Sequence, residues 1–140
     1  MITGYIIPAI QDKSLSPVAE PQSGEILIGS EVLNESEITV KASGNSAYFV
    51  KLKNRAGDDI LAFYVRANAT VTVGVPAEYF YVYFASGDTW YGLEHYLGAN
   101  TAYAKDDEIC NFGKYSYEYT LYPVNDGNFS ETPVNKSEFE

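Results

Sequence analysis

Residues 79–85 read Tyr-Phe-Tyr-Val-Tyr-Phe-Ala, and this stretch decides the fold. Side chains alternate between faces along a strand, so Phe80, Val82 and Phe84 fall on one face and Tyr79, Tyr81 and Tyr83 on the other. Aromatic and β-branched residues suit a pleated surface. Both faces of this strand are therefore expected to be buried or half-buried.

The same period-two alternation recurs on either side of it. It predicts strands at 26–28, at 38–42 with Ile38, Val40 and Ala42 on one face, and at 47–53. In the last of these Tyr48, Val50 and Leu52 oppose Phe49, Lys51 and Lys53, so the two lysines are expected to mark a wet side. Residues 54–58, Asn-Arg-Ala-Gly-Asp, read as a hairpin loop with Gly57 available for a positive φ. Residues 60–66 point Leu61, Phe63 and Val65 one way. Val71, Val73 and Val75 follow, and Pro76 ends the pairing because proline cannot donate to a ladder. Residues 109–112 and 117–122 supply two more, the latter with Tyr117, Tyr119 and Leu121 on one face. The expected architecture is an all-β, antiparallel β-sandwich of about seven or eight strands with little helix. Only 92–98, bracketed by glycines, and 133–139 read as short helical turns. No fixed-period repeat is present.

The chain has 140 residues, 46% of them hydrophobic, enough for one core-forming domain. Nine Lys and Arg against nineteen Asp and Glu give a net charge of −10, which argues against nucleic acid and anionic membrane surfaces as partners. The one His and one Cys are too few for a Cys/His metal site or an intrachain disulfide, so no metal and no cofactor are expected. Tyr5, Ile6 and Ile7 are cut short by Pro8 with no basic residue ahead of them, unlike a signal peptide. No run approaches the roughly 18 apolar residues that cross a bilayer, so no direct membrane insertion is expected. Residues 8–24 hold Pro8, Pro17, Pro21 and Gly24 among polar residues and read as a linker. The expected division is a loosely attached segment at 1–24 and a sandwich domain at 25–140. Asn34, Asn68, Asn128 and Asn135 each open an Asn-x-Ser/Thr triplet, an acceptor only in a eukaryotic secretory setting.

Residues 86–103, SGDTWYGLEHYLGANTAY, hold the single Trp, the single His and three Tyr. Long loops inside compact domains are often functional. Two readings are open. Trp90, Tyr91 and Leu97 fold back to plug one end of the sandwich; or Trp90, Tyr91 and Tyr96, with His95 beside them, form an exposed platform for a sugar ring or a partner side chain. The thirteen tyrosines admit the same two readings, as half-buried sandwich residues or as a carbohydrate-binding face. Asp106, Asp107 and Glu108 beside Asp88 offer oxygens for calcium, although their spacing matches no calcium motif and a solvated acidic turn reads more simply. Catalysis has thin support: no nucleophile elbow and no phosphate-cradling glycine motif occurs, and paired acids such as Asp88 and Glu94 are the remaining option.

The succession YFVKLKN (48–54), FYVRANATVTVGVP (63–76), EYFYVYFASGDTWYG (78–92), LGANTAYAKDD (97–107) and YTLYPVNDGNFS (119–130) resembles an uncharacterised bacterial β-sandwich domain carried at the C-terminal end of longer proteins. The matching marks are Val75-Pro76, the tyrosine strand at 79–83, and the Gly-x-x-Trp-Tyr-Gly loop at 87–92. The resemblance spans residues 24 to 139. It implies architecture and no established activity, and parents with variable N-terminal regions, some with a membrane segment. The residues fix no compartment, and an extracytoplasmic place in a larger membrane-tethered protein is one that the resemblance would fit. One departure is the loop triplet Tyr96-Leu97-Gly98, where the family has a Leu-Phe-Gly-like sequence. The functional expectation is a non-catalytic binding module with a protein or carbohydrate ligand; the alternatives are a structural or self-associating spacer and a small glycan-active enzyme.

Overall fold

Two antiparallel-type sheets pack face to face, and the face that each alternating residue occupies follows from that arrangement. The computed structural model describes residues 15–122 and 131–140. Its strands are β1 (Ile26–Ile28), β2 (Ser36–Ala42), β3 (Ala47–Lys53), β4 (Asp59–Val65), β5 (Thr70–Val75), β6 (Tyr79–Gly87), β7 (Ala102–Asp106), β8 (Cys110–Asn111), β9 (Tyr117–Leu121) and β10 (Glu131–Pro133), followed by a helical turn, α1 (Lys136–Phe139). The larger sheet runs β1-β4-β3-β6-β7-β10, with β8 also pairing β6, and the smaller runs β5-β2-β9. The fold is the all-β, sandwich-like one expected. The stretch at Tyr5 to Ile7, Pro8, Asp126 and the triplet at Asn128 lie outside the described residues.

The inter-sheet core is built from the alternating sets. Ile38, Val40, Val71, Val73 and Val75 of the small sheet meet Val50, Leu52, Leu61, Phe63, Phe80, Val82 and Phe84 of the large one. Burying each such side chain contributes about 1.5–3 kcal/mol. The hairpin between β3 and β4 forms as read: Gly57 has φ +89°, and the Asn54 side chain accepts from the Asp58 amide at 2.9 Å. One pairing departs from the antiparallel expectation, because β9 runs parallel to β2, Ile38 opposite Tyr117.

The larger sheet is covered on its second face too. Phe49, Ala62, Tyr64, Tyr83 and Ala85 point away from the small sheet into a second cluster with Trp90, Tyr96, Leu97 and Phe139. That overturns the reading of Lys51 and Lys53 as a wet side, since they are only 2% and 6% exposed. The physical reason is charge pairing under a lid of backbone and rings. Lys51 Nζ lies 3.2 Å and Lys53 Nζ 3.4 Å from Asp59 carboxylate oxygens, and Lys51 also donates to the Phe139 carbonyl. Residues 15–24 lie against the same side, through Val18 N donating to Trp90 O, Gly24 N to Tyr64 O, and the Arg66 guanidinium to the Pro21 and Glu20 carbonyls.

Candidate functional site

The loop after β6 does two things at once, and the division runs between neighbouring residues. Trp90 and Tyr96 are each 5% exposed. The Trp90 ring meets Tyr64 edge-on at 5.2 Å and Phe49 at 5.5 Å; Tyr96 stacks on Phe49 at 5.7 Å and meets Phe139 edge-on at 5.1 Å. Offset and edge-to-face pairs of this kind add to area burial. Trp90 and Leu97 fold back as the first reading has it, joined by Tyr96, but onto the second face of the larger sheet and not into an end of the sandwich, and Tyr91 does not join that cluster. The exposed platform fails for Trp90 and Tyr96, because the second face of the large sheet offers them apolar surface that solvent cannot. Burial pushes the Tyr96 hydroxyl up to about 12.

The loop's backbone fixes this inward turn. Tyr91 N donates to Tyr96 O at 2.8 Å, and Tyr96 N donates to Gly92 O at 2.7 Å, the latter a single turn of helical spacing within the expected 92–98 that is not continued into a helix. Tyr96 itself takes φ +53°, a left-handed conformation that costs an L residue free energy and is sustained by its packing. His95 stays outside on this turn, exposed, with Nε2 4.0 Å from a Glu94 carboxylate oxygen.

Tyr91 turns the other way and is half-buried on the wall of a groove of about 660 Å3. The strand register assembles that groove. Ala47 at the start of β3 lies opposite Gly87 at the end of β6, and Ser86 lies opposite Ala102 at the start of β7. Three chain segments thus meet at one end of the larger sheet, bringing together Ser46, Ser86, Asp88, Thr89, Tyr91 and Asn100, with Leu15, Leu97 and Ala99 among the apolar lining. The volume falls within the roughly 300–1,000 Å3 typical of ligand sites. Two glycines set its shape by close approach. A Cβ on Gly87 would stand 2.5 Å from the Leu97 Cβ, and one on Gly98 would stand 2.7 Å from the Tyr91 ring. Gly98 also holds φ +87°, a conformation that other residues rarely adopt. Among the described residues no protein hydrogen bond engages the side chains of Ser46, Asp88, Thr89 or Asn100. Asp88, Thr89 and Asn100 are exposed and Ser46 is half-buried.

Of the residues singled out from the sequence, the groove therefore gathers Tyr91 and Asp88 and leaves out Trp90, Tyr96 and His95. Glu94, the second acid paired with Asp88 in the catalytic option, is 92% exposed at its side chain and does not line the groove. Ser46, Ser86 and Asn100 carry no sequence signal, because the groove exists only once three strands are in register.

The acidic stretch after β7 is divided between surface and interior. Asp106 is 9% exposed and accepts from the Tyr119 hydroxyl at 2.6 Å and from the Cys110 thiol at 3.6 Å, while Tyr119 and Cys110 themselves lie 3.0 Å apart. Asp107 and Glu108 are exposed, and Asp107 accepts from the Thr132 hydroxyl of β10. Among the described residues no three His, Cys, Asp or Glu side chains converge so as to hold a metal ion. Cys110 is 2% exposed, and burial pushes its thiol up to about 12, which disfavours the thiolate.

Fold and site define the chain as an all-β sandwich with a preformed polar groove at one end of its larger sheet. Comparison with protein-family models, with curated proteins and with solved structures finds no match. Among the described residues no helix is long and apolar enough to cross a membrane.

Proposed function

We propose that the chain is a non-catalytic binding module whose contact surface is the groove bounded by Ser46, Asp88, Thr89, Tyr91 and Asn100. The observation that carries this reading is that Ser46, Asp88, Thr89 and Asn100, whose side chains have no protein hydrogen bond among the described residues, line one groove beside Tyr91. A rigid wall matters because binding groups ordered in advance lose less entropy when a ligand arrives. The inward-packed loop supplies that rigidity: Trp90 and Tyr96 anchor it to the sheet, and Tyr91 is held against Gly98 between them. The resemblance to a domain appended to longer bacterial proteins is in keeping with such a role.

The test is direct binding of the full chain to arrays of oligosaccharides and peptides, repeated with Asn100→Ala and Thr89→Ala. Saturable binding that both substitutions weaken, with the fold intact by circular dichroism, is the expected result. Binding that neither substitution changes would move the contact surface elsewhere.

A further inference from the structure

The ligand class can be taken further, resting on the groove being the contact surface. We infer that the groove takes an uncharged, hydroxyl-rich saccharide and rejects acidic ones. Hydroxyl and amide side chains both donate and accept, as does every sugar hydroxyl, so Ser46, Thr89 and Asn100 can pair with a saccharide without fixing one direction of donation. Tyr91 adds a flat apolar surface with a polar tip, suited to a sugar ring whose faces are C–H and whose rim is O–H. A peptide held by strand addition needs a free strand edge, and β3 and β6 lie inside the larger sheet, β3 between β4 and β6 and β6 between β3 and β7.

Charge decides within the saccharides. Among the described residues Asp88 is the single charged side chain lining the groove, and no Lys or Arg lines it to take a carboxylate or a sulfate. The chain's net charge of −10 adds a long-range field of the same sign. Asp88 instead suits the hydroxyl donors of a neutral sugar, since an ionised carboxylate only accepts.

The experiment titrates the full chain with two probe sets, uncharged oligosaccharides (glucan, mannan and N-acetylglucosamine oligomers) and uronic-acid oligomers, at low and high salt, following backbone amide resonances. Saturable shifts confined to the residues of the groove with an uncharged oligomer, weakened about three- to tenfold by Asn100→Ala as for the loss of one or two neutral hydrogen bonds, are expected. Uronic-acid oligomers should bind at least about tenfold more weakly at low salt, and Asp88→Asn or added salt should narrow that gap. Uronate binding in the groove as tight as that of neutral oligomers would overturn the inference while leaving the binding module standing, as would a peptide that shifts the groove where no sugar does. Silence of the groove toward every probe would overturn both.

Discussion

The ammonium of Lys51 donates to the carbonyl oxygen of Phe139 at 3.1 Å, across 88 residues of sequence. The same ammonium lies 3.2 Å from Asp59 and 4.4 Å from the centre of the Phe139 ring. A lysine in the middle of the larger sheet thus holds down the C-terminal turn, with Phe139 enclosed by Phe49, Tyr83, Tyr96 and Tyr103. The turn covers the sheet next to the loop that shapes the groove.

Removing that ammonium exposes how the cluster is balanced. Lys51→Ala leaves Asp59 with Lys53 alone, opens a cavity and should cost about 2–4 kcal/mol. Lys51→Met keeps the stem and fills the volume, so it should cost less than Lys51→Ala by the cavity contribution, while still leaving the Phe139 carbonyl and Asp59 without the ammonium. Urea unfolding midpoints of the two variants check this; equal losses would contradict it.

Two buried tyrosine hydroxyls should respond oppositely to Phe. The Tyr119 hydroxyl serves Asp106 and Cys110, so Tyr119→Phe leaves a buried carboxylate short of a donor and should cost about 1–3 kcal/mol. The Tyr48 hydroxyl is buried with no hydrogen-bond partner among the described residues, so Tyr48→Phe should be neutral or stabilising by up to about 1 kcal/mol. Thermal unfolding of both variants side by side is the measurement.

Alkaline pH should unfold the domain through its tyrosines. Burial raises Tyr48 and Tyr96 from 10.0 to about 12 in the folded chain. A group raised on folding stabilises fully below its unfolded pKa, and that stability is lost as pH rises through the folded value. Stability should therefore fall between pH 10 and pH 12, by about 1.4 kcal/mol per pH unit for each tyrosine held protonated. Lys51 acts in the opposite sense: its lowered pKa means that the unfolded chain binds more protons, so its contribution improves as pH climbs toward 10.5. Tyrosinate absorbance should rise together with loss of the folded circular dichroism signal. Ionisation of Tyr48 and Tyr96 at about pH 10 in the folded state would contradict the assignment.

Loop and groove should separate by mutation. Trp90→Ala removes a ring packed on Tyr64 and Phe49 and should cost about 3–5 kcal/mol, and native Trp90 fluorescence should be shielded from aqueous quenchers. Gly98→Ala forces a Cβ toward Tyr91 at a positive φ and should cost about 1–3 kcal/mol while reshaping the groove wall. Asn100→Ala is an exposed substitution and should change stability by less than about 0.5 kcal/mol. Chemical denaturation of the three orders them.

Much of this was legible in residues 79–85 and their neighbours, because period-two alternation reports which side chains share a face. It does not report what covers that face. Lys51 and Lys53 looked solvated for this reason, although Phe49 on the same face and the tyrosines of β6 already hinted at a second apolar layer. Strand β7, Ala-Tyr-Ala-Lys-Asp, has no β-branched residue, and β10 contains Pro133, so neither reads as a strand. The parallel pairing of β2 with β9 is a fact about neighbours, which alternation leaves open. At the site, Tyr91 and Asp88 stood out by residue type. Ser46, Ser86 and Asn100 are ordinary residues that three-dimensional register alone makes into a surface.

The most direct test of the binding groove is a map of amide resonance changes on the full chain as uncharged oligosaccharides are added. Saturable shifts centred on Ser46, Asp88, Thr89, Tyr91 and Asn100, with the Trp90 indole moving little, are the predicted result. A saturable response centred on any other face, or none at the groove, would contradict the account.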